Sequence, residues 1–266
     1  MSLYGRIGDI GREGEYMNIL EGEKRKEFAG WNYAHRGLHT ADKSVPENSL
    51  AAFRRAAGKG YGVELDVQLS KDGQVMVFHD DDLVRMTGKS GKIWDLDCEE
   101  LQKLRLAGTE EKIPLFTEVL EVLQEGSGPL IVEIKTGPRN DELCEKTYEI
   151  LGQYPGVWCM ESFNPFIVNW FRKNTPEVVR GQLITNKENY EGYPGFLQKL
   201  LARAGFSFLN QPHFIAFNLD AELPGNIRKM HEKGTLTFGW TSRQAGNEKR
   251  ADGLIFELYE PPVKNG

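Results

Sequence analysis

Five side chains in the first half of the chain have the types and spacing to hold a hard cation and move protons beside it: His35, Glu64, Asp66, His79 and Glu133. In Glu64-x-Asp66 the two carboxylates fall on one face of a strand, about 6–7 Å apart, close enough to converge on one ion. A lone E-x-D is more often a solvated strand face. Here Val63, Leu65 and Val67 flank it in a run that reads as a central strand. Two uncompensated carboxylates would be costly there, which argues for a cation as their companion. In Leu130–Lys135, Glu133 and Lys135 share a face at the end of an apolar strand. Alone, that pair reads equally well as a structural ion pair. Beside Glu64 and Asp66 it adds a third oxygen ligand and leaves Lys135 to meet a phosphate directly. Oxygen donors suit Mg2+ or Ca2+ equally, and no clustered cysteines or histidines suggest a softer metal.

His35-Arg36-Gly37 ends the first strand-like run, and His79-Asp80 ends a later one. Arginine is suited to phosphate, and glycine allows close backbone approach. Two histidines from different strands, both near an acidic metal site, suit general acid–base exchange around a phosphorus centre. His39, His213 and His231 lie in loop or helical contexts and read as structural.

The elements that must position these residues alternate along the chain. Strand-like runs are expected at Trp31–His35, Val63–Leu69, Gln74–His79, Leu130–Lys135, Val157–Phe163, Val178–Ile184, Phe214–Asn218, Leu236–Trp240 and Gly253–Phe256. Helices are expected at 49–57, with Asn48 as N-cap and Gly58 as its end, and at 117–124, 141–151, 166–173, 196–204 and 225–232. Only four turn residues separate Leu69 from Gln74, too few for a parallel crossover. That pair is therefore an antiparallel hairpin, with Leu69 facing Gln74 or a register two residues further on; either brings His79 to the acidic pair. Eight parallel strands remain, which is the count of a (β/α)8 TIM barrel, an α/β fold. Residues 81–113 have weak periodicity and read as an inserted subdomain with one short helix near 99–104. Residues 1–30 form a separate N-terminal segment of unassigned role, in which 4–28 reads as a short helix or an arm.

The 266 residues and 39% hydrophobic content fit one barrel. A net charge of -6 offers no general field for nucleic acid or an anionic membrane. Apolar runs stop at strand length, short of a membrane span, and residues 1–30 hold no signal-like apolar segment. Cys98, Cys144 and Cys159 are odd in number and scattered, which favours a reducing cytoplasm over a disulfide framework. The sequence is silent on oligomeric state.

The chain resembles the glycerophosphodiester phosphodiesterases. The resemblance rests on His35-Arg36-Gly37, Pro46-Glu47-Asn48-Ser49, Glu64-Leu65-Asp66-Val67, Val77-Phe78-His79-Asp80 and Glu133-Ile134-Lys135, with weaker matches at Ser162-Phe163-Asn164, Trp240-Thr241 and Asp252-Gly253-Leu254-Ile255. It implies a TIM barrel with a small insertion, and a divalent metal on Glu64, Asp66 and Glu133. It further implies catalysis by His35 and His79, and phosphate contacts from Arg36 and Lys135. Glu47 and Asn48 would support the first loop, Glu47 on the substrate side, and Phe163 and Trp240 would line the pocket. The small-molecule substrate would be a glycerophosphodiester, cleaved through a cyclic phosphate. Two departures stand out: the last helix is trimmed to Ser242–Glu248, and the final strand ends in Phe256-Glu257 rather than Thr-Asp. The rivals are a lysophospholipase D or phospholipase C type enzyme on the same barrel, and a catalytically inactive barrel that binds glycerophosphates. Long-chain lipids would need an exposed apolar rim, which residues 81–113 do not offer despite Trp94.

Overall fold

The computed structural model describes residues 24–126 and 128–264. Among these, nine strands form one sheet: β1 (Asn32–His35), β2 (Gly62–Leu69), β3 (Val75–Val77), β4 (Leu130–Ile134), β5 (Trp158–Ser162), β6 (Arg180–Ile184), β7 (Phe214–Asn218), β8 (Leu236–Ser242) and β9 (Gly253–Phe256). Eight are parallel, and β1 pairs with both β9 and β2, so the sheet closes into a barrel. The helices are α1 (Leu50–Gly58), α2 (Val84–Thr87), α3 (Cys98–Gln102), α4 (Phe116–Leu123), α5 (Asn140–Leu151), α6 (Pro165–Asn174), α7 (Gly195–Leu201), α8 (Ser207–Asn210) and α9 (Gly225–Glu232). This is the TIM barrel expected from the alternation. The turns and bends of 243–252 stand where a last helix would. The segment 4–28 lies almost wholly outside the described residues; of its end, Phe28 is buried and its carbonyl accepts the Tyr33 hydroxyl.

Strand alternation divides the chain's polarity between two cores. On β2, Val63, Leu65 and Val67 pack outward against Phe53 and Ala56 of α1 and Val119 and Leu120 of α4. The intervening Glu64 and Asp66 face inward. The inner core below them is Tyr33, Ile131, Cys159, Phe214, Phe238 and Ile255, with the Phe214 and Phe238 rings stacked at 4.6 Å. These large rings fit because small residues stand opposite them. A Cβ on Gly181 would lie 2.1 Å from the Phe214 ring. Gly181→Ala is therefore expected to cost about 1–3 kcal/mol through overpacking, read as a drop of several degrees in melting temperature. An unchanged melting temperature would show that the ring can shift aside.

Two local expectations are corrected. The hairpin takes neither predicted register: Leu69 faces Val75 and Val67 faces Val77. The Ser70 hydroxyl accepts from the Gln74 amide and donates to Asp72, which stabilises a longer turn and ends β3 at Val77. His79 consequently lies past the strand, while the Phe78 amide still donates to the Asp66 carbonyl. The N-cap of α1 is Ser49, which accepts from the Ala52 amide at 3.1 Å. Asn48, at φ 53°, is thereby released for another partner. Residues between β3 and α4 fold outside the barrel over a small core of Met76, Phe78, Leu83, Ile93, Leu101 and Ile113.

Candidate active site

The inward residues at the C-terminal ends of the strands bring the acidic set together. Asp66 on β2 is in register with Glu133 on β4, and Glu133 with Glu161 on β5. One carboxylate oxygen from each of Glu64, Asp66 and Glu133 lies within 4.8 Å of the others, and all three residues are buried. The surrounding donors hold them in place. The Arg36 amide donates to Glu64 Oε2 at 3.1 Å, made possible by the left-handed turn at Arg36. Asn48 Nδ2 donates to Asp66 Oδ2 at 2.9 Å. Lys135 Nζ lies 2.8 Å from Glu133 Oε1 and 3.5 Å from Asp66 Oδ1.

Charge in this cluster is unbalanced. Glu64, Asp66, Glu133 and Glu161 face the two cations Arg36 and Lys135. Burial, reinforced by the neighbouring carboxylates, pushes the Glu64 and Glu161 carboxyls well above their usual range. Burial also acts on Asp66, but the charges of His79, Lys135 and Arg36 outweigh it and hold that carboxyl far down. Asp66 Oδ1 and Glu161 Oε2 are buried oxygens without a hydrogen-bond partner. Orphaned oxygens and surplus negative charge fit one hard divalent ion. Glu161 escaped sequence reasoning because it sits between Met160 and Ser162 without a second acid at i±2; its register with Glu133 is visible only in the fold.

His35 and His79 line the same cavity as Glu64 and Glu133, a space of about 620 Å³ at this end of the barrel. His35 Nδ1 lies 2.7 Å from Glu257 Oε2. The Glu257 carboxyl is held low: burial raises it, but bonds from His35 and His39 and the Arg243 charge prevail. An ionised carboxylate only accepts, so His35 carries its proton on Nδ1 and presents a bare Nε2. Burial, then the Arg36 charge, lower the His35 pKa to about 4, which keeps the imidazole neutral at pH 7. His79 has the same arrangement, its Nδ1 being 2.6 Å from Asp80 Oδ1. Arg85 ties Asp80 to Glu47, and Glu47 also accepts from Arg36 at 2.7 Å.

His39, read as structural, has its Nε2 3.6 Å from Glu257 Oε2. Glu257, read from sequence only as a departure, is the orienting partner of His35. A charged residue directly after the apolar run of β9 was the available signal. His213 and His231 do read as structural: His213 Nδ1 accepts the Arg180 amide, and His231 pairs with Asp252.

One wall of the cavity is aromatic, with Phe163 and Trp240 edge to face at 5.6 Å. An apolar flank continues from there, and it comes from residues 163–206 rather than from the insertion at 81–113.

The model of the glycerophosphoryl diester phosphodiesterase family matches residues 35–256, from the first histidine to the end of β9. The chain belongs to this family. A glycerophosphodiester phosphodiesterase from Caldanaerobacter subterraneus subsp. tengcongensis is 42% identical over 241 residues, which cover 84% of this chain and 91% of the relative. The solved glycerophosphodiester phosphodiesterase from Thermotoga maritima is 27% identical with a TM-score of 0.63, covering 85% of this chain and 93% of that one. A phosphodiesterase from Oleispira antarctica, solved with sn-glycerol-3-phosphate, shares the fold at a TM-score of 0.72 and 24% identity, over 87% of this chain and 94% of that one. As a member of the family the chain is a phosphoric diester hydrolase.

Within this family member, Glu257 invites a direct test. Its bond and charge raise the His35 pKa against the stronger lowering by burial. Glu257→Gln is therefore expected to move the acid limb of kcat/KM to lower pH, and to reduce kcat about ten- to a hundredfold by releasing the imidazole. An unmoved pH limb would remove this positioning role.

Proposed function

We propose that the enzyme hydrolyses glycerophosphodiesters to an alcohol and glycerol 3-phosphate, with one divalent cation, Mg2+ or Ca2+, held by Glu64, Asp66 and Glu133. The observation that carries this reading is a cluster of three buried carboxylates, two of which, Glu64 and Glu133, line the cavity shared by two carboxylate-oriented histidines. When bound, the cation supplies Lewis-acid polarisation of a phosphate oxygen and lowers the pKa of a hydroxyl it contacts.

The chain's own groups supply the rest. His35 Nε2, neutral and unprotonated, is placed to take the proton of the glycerol 2-hydroxyl as that oxygen attacks phosphorus. His79, carrying a proton on Nε2 as well as on the Nδ1 that faces Asp80, gives the Nε2 proton to the departing alcohol. The cyclic glycerol phosphate left behind is opened by water with the two histidines in exchanged roles. Arg36 and Lys135 stabilise charge on the phosphoryl oxygens. Phe163 and Trp240 line the substrate side, and Glu47 acts at one remove by aligning Arg36.

The three cysteines are free, and no described helix is long and apolar enough to cross a membrane. Incubation with glycerophosphocholine is expected to release choline and glycerol 3-phosphate in equal amounts. Release of glycerol and phosphocholine instead would overturn the assignment of the scissile bond.

A further inference from the structure

A second set of donors meets where the barrel closes. β1 pairs with β9 so that Ala34 faces Phe256, which sets His35 beside Glu257. After β1 the chain turns back on itself: Arg36 and Gly37 adopt positive φ, and the His39 amide donates to the Gly37 carbonyl. The Leu38 amide donates to the Ala52 carbonyl, and a Cβ on Gly37 would lie 2.9 Å from the Ala52 Cβ, so this loop is pressed onto α1. His39 is thereby returned to Glu257. One ligand atom from each of His35, His39 and Glu257 lies within 4.8 Å of the others. His35 Nδ1 is 2.7 Å and His39 Nε2 3.6 Å from the same oxygen, Glu257 Oε2. The other oxygen, Oε1, is taken by Arg243 at 2.7 Å.

Orienting His35 requires one carboxylate oxygen, and Glu257, steadied by Arg243, supplies it. His39 is surplus to that task. At 3.6 Å its contact is longer than an ordinary hydrogen bond, and its buried Nε2 has no other partner. We propose that His35, His39 and Glu257 form a second metal site, which takes a borderline divalent ion of the Zn2+ class and thereby inhibits the enzyme. Two imidazole nitrogens and one carboxylate oxygen are donors that suit Zn2+, whereas Mg2+ and Ca2+ suit the all-oxygen set of Glu64, Asp66 and Glu133. Tetrahedral bonds of about 2.0–2.1 Å hold their donors roughly 3.3 Å apart, and the two contacts to Oε2 straddle that spacing. The His35 side chain is 15% exposed and the other two 11% each. An ion reaches them from the cavity, which His35 and Arg243 both line.

Inhibition follows from the tautomer. Without this ion His35 carries its proton on Nδ1 and presents a bare Nε2. Zn2+ bonds to the Nδ1 lone pair, so that proton leaves to water, and the ring stays neutral by taking one from water on Nε2. The ring exchanges no net proton, but the nitrogen that accepts the glycerol proton is now occupied. This consequence rests on the acid–base reading above, whereas binding of the ion does not.

The test titrates Zn2+ into the enzyme in saturating Mg2+, which keeps the three-carboxylate site filled, with calorimetry and glycerophosphocholine turnover read on the same samples. The wild-type enzyme is expected to bind one equivalent of Zn2+ and to lose turnover by at least about tenfold, a loss that further Mg2+ does not relieve. His39→Gln, measured against its own Zn2+-free turnover, is expected to bind Zn2+ at least about tenfold more weakly and to need correspondingly more of it for the same inhibition. Glu257→Gln should weaken binding likewise, and thermal melts show which variants are folded, so that either one suffices. No Zn2+ uptake beside saturating Mg2+, or undiminished affinity in the folded variants, overturns the site. Inhibition that Mg2+ relieves puts Zn2+ on the three carboxylates and also overturns it. His39-dependent binding without loss of turnover overturns the inhibitory role, and the assignment of His35 as base falls with it. If glycerophosphocholine is not cleaved at all, the reaction reading fails, and the calorimetric comparison alone judges the metal site.

Discussion

Replacing His35 or His79 by alanine is expected to lower kcat for glycerophosphocholine by about 10²–10⁴-fold, with the melting temperature nearly unchanged. The fold should tolerate both changes because each side chain lies at the cavity, with 15% and 30% of its surface exposed, rather than in either core. The two losses should not multiply. Both histidines serve one proton circuit, so the double variant is expected to be little worse than the poorer single one. His35→Ala also strips Glu257 of its main partner, leaving it with His39 and Arg243; a small stability change is admissible there and absent in His79→Ala. Steady-state kinetics beside thermal melts separate these effects. Turnover within about tenfold of wild type in both variants would remove the acid–base assignment.

The barrel and much of the site were legible because they follow from short-range periodicity. Alternation on β2 already placed Glu64 and Asp66 opposite the apolar positions that pack on α1 and α4, and the closed sheet follows from eight such strands. What was hidden depends on distance in space. Glu161 joins the acidic row only through the register of β5 on β4. Glu257 and His39 meet across the ends of β9 and the first loop, more than two hundred residues apart in sequence. The hairpin register was missed because a serine-centred turn adds a residue that a count of turn residues does not reveal. The apolar flank was sought in the insertion and found on α7, where the sequence offered only a helical pattern at 196–204. Only the fold shows that Leu197 and Leu201 stay partly exposed along the cavity.

The second large effect concerns the cation. Exhaustive chelation is expected to abolish turnover and lower the melting temperature, with Mg2+ or Ca2+ restoring both. At a free cation concentration a hundredfold above its dissociation constant the stabilisation is about 2.7 kcal/mol. For a chain of this size that corresponds to roughly 5–11 °C. The pH dependence of this gain identifies the groups involved. Glu64 and Glu161 have folded-state pKa values raised well above the ordinary 4.5, so the metal-free folded protein holds protons that the unfolded chain has released. Stability of the metal-free protein therefore declines as pH rises from about 4.5 through the raised values. His35 and His213 have pKa values lowered to about 4 and about 3 and contribute the opposite slope, which ends once pH passes the ordinary histidine value of 6.5. Since bound cation displaces the carboxyl protons, the cation-induced rise in melting temperature should grow as pH climbs from about 4.5 toward the raised carboxyl values. Glu133→Gln should weaken calorimetric cation affinity by at least about tenfold and shrink the rise at every pH. A gain of constant size in wild type, or full cation affinity in Glu133→Gln, would show that the cation binds elsewhere.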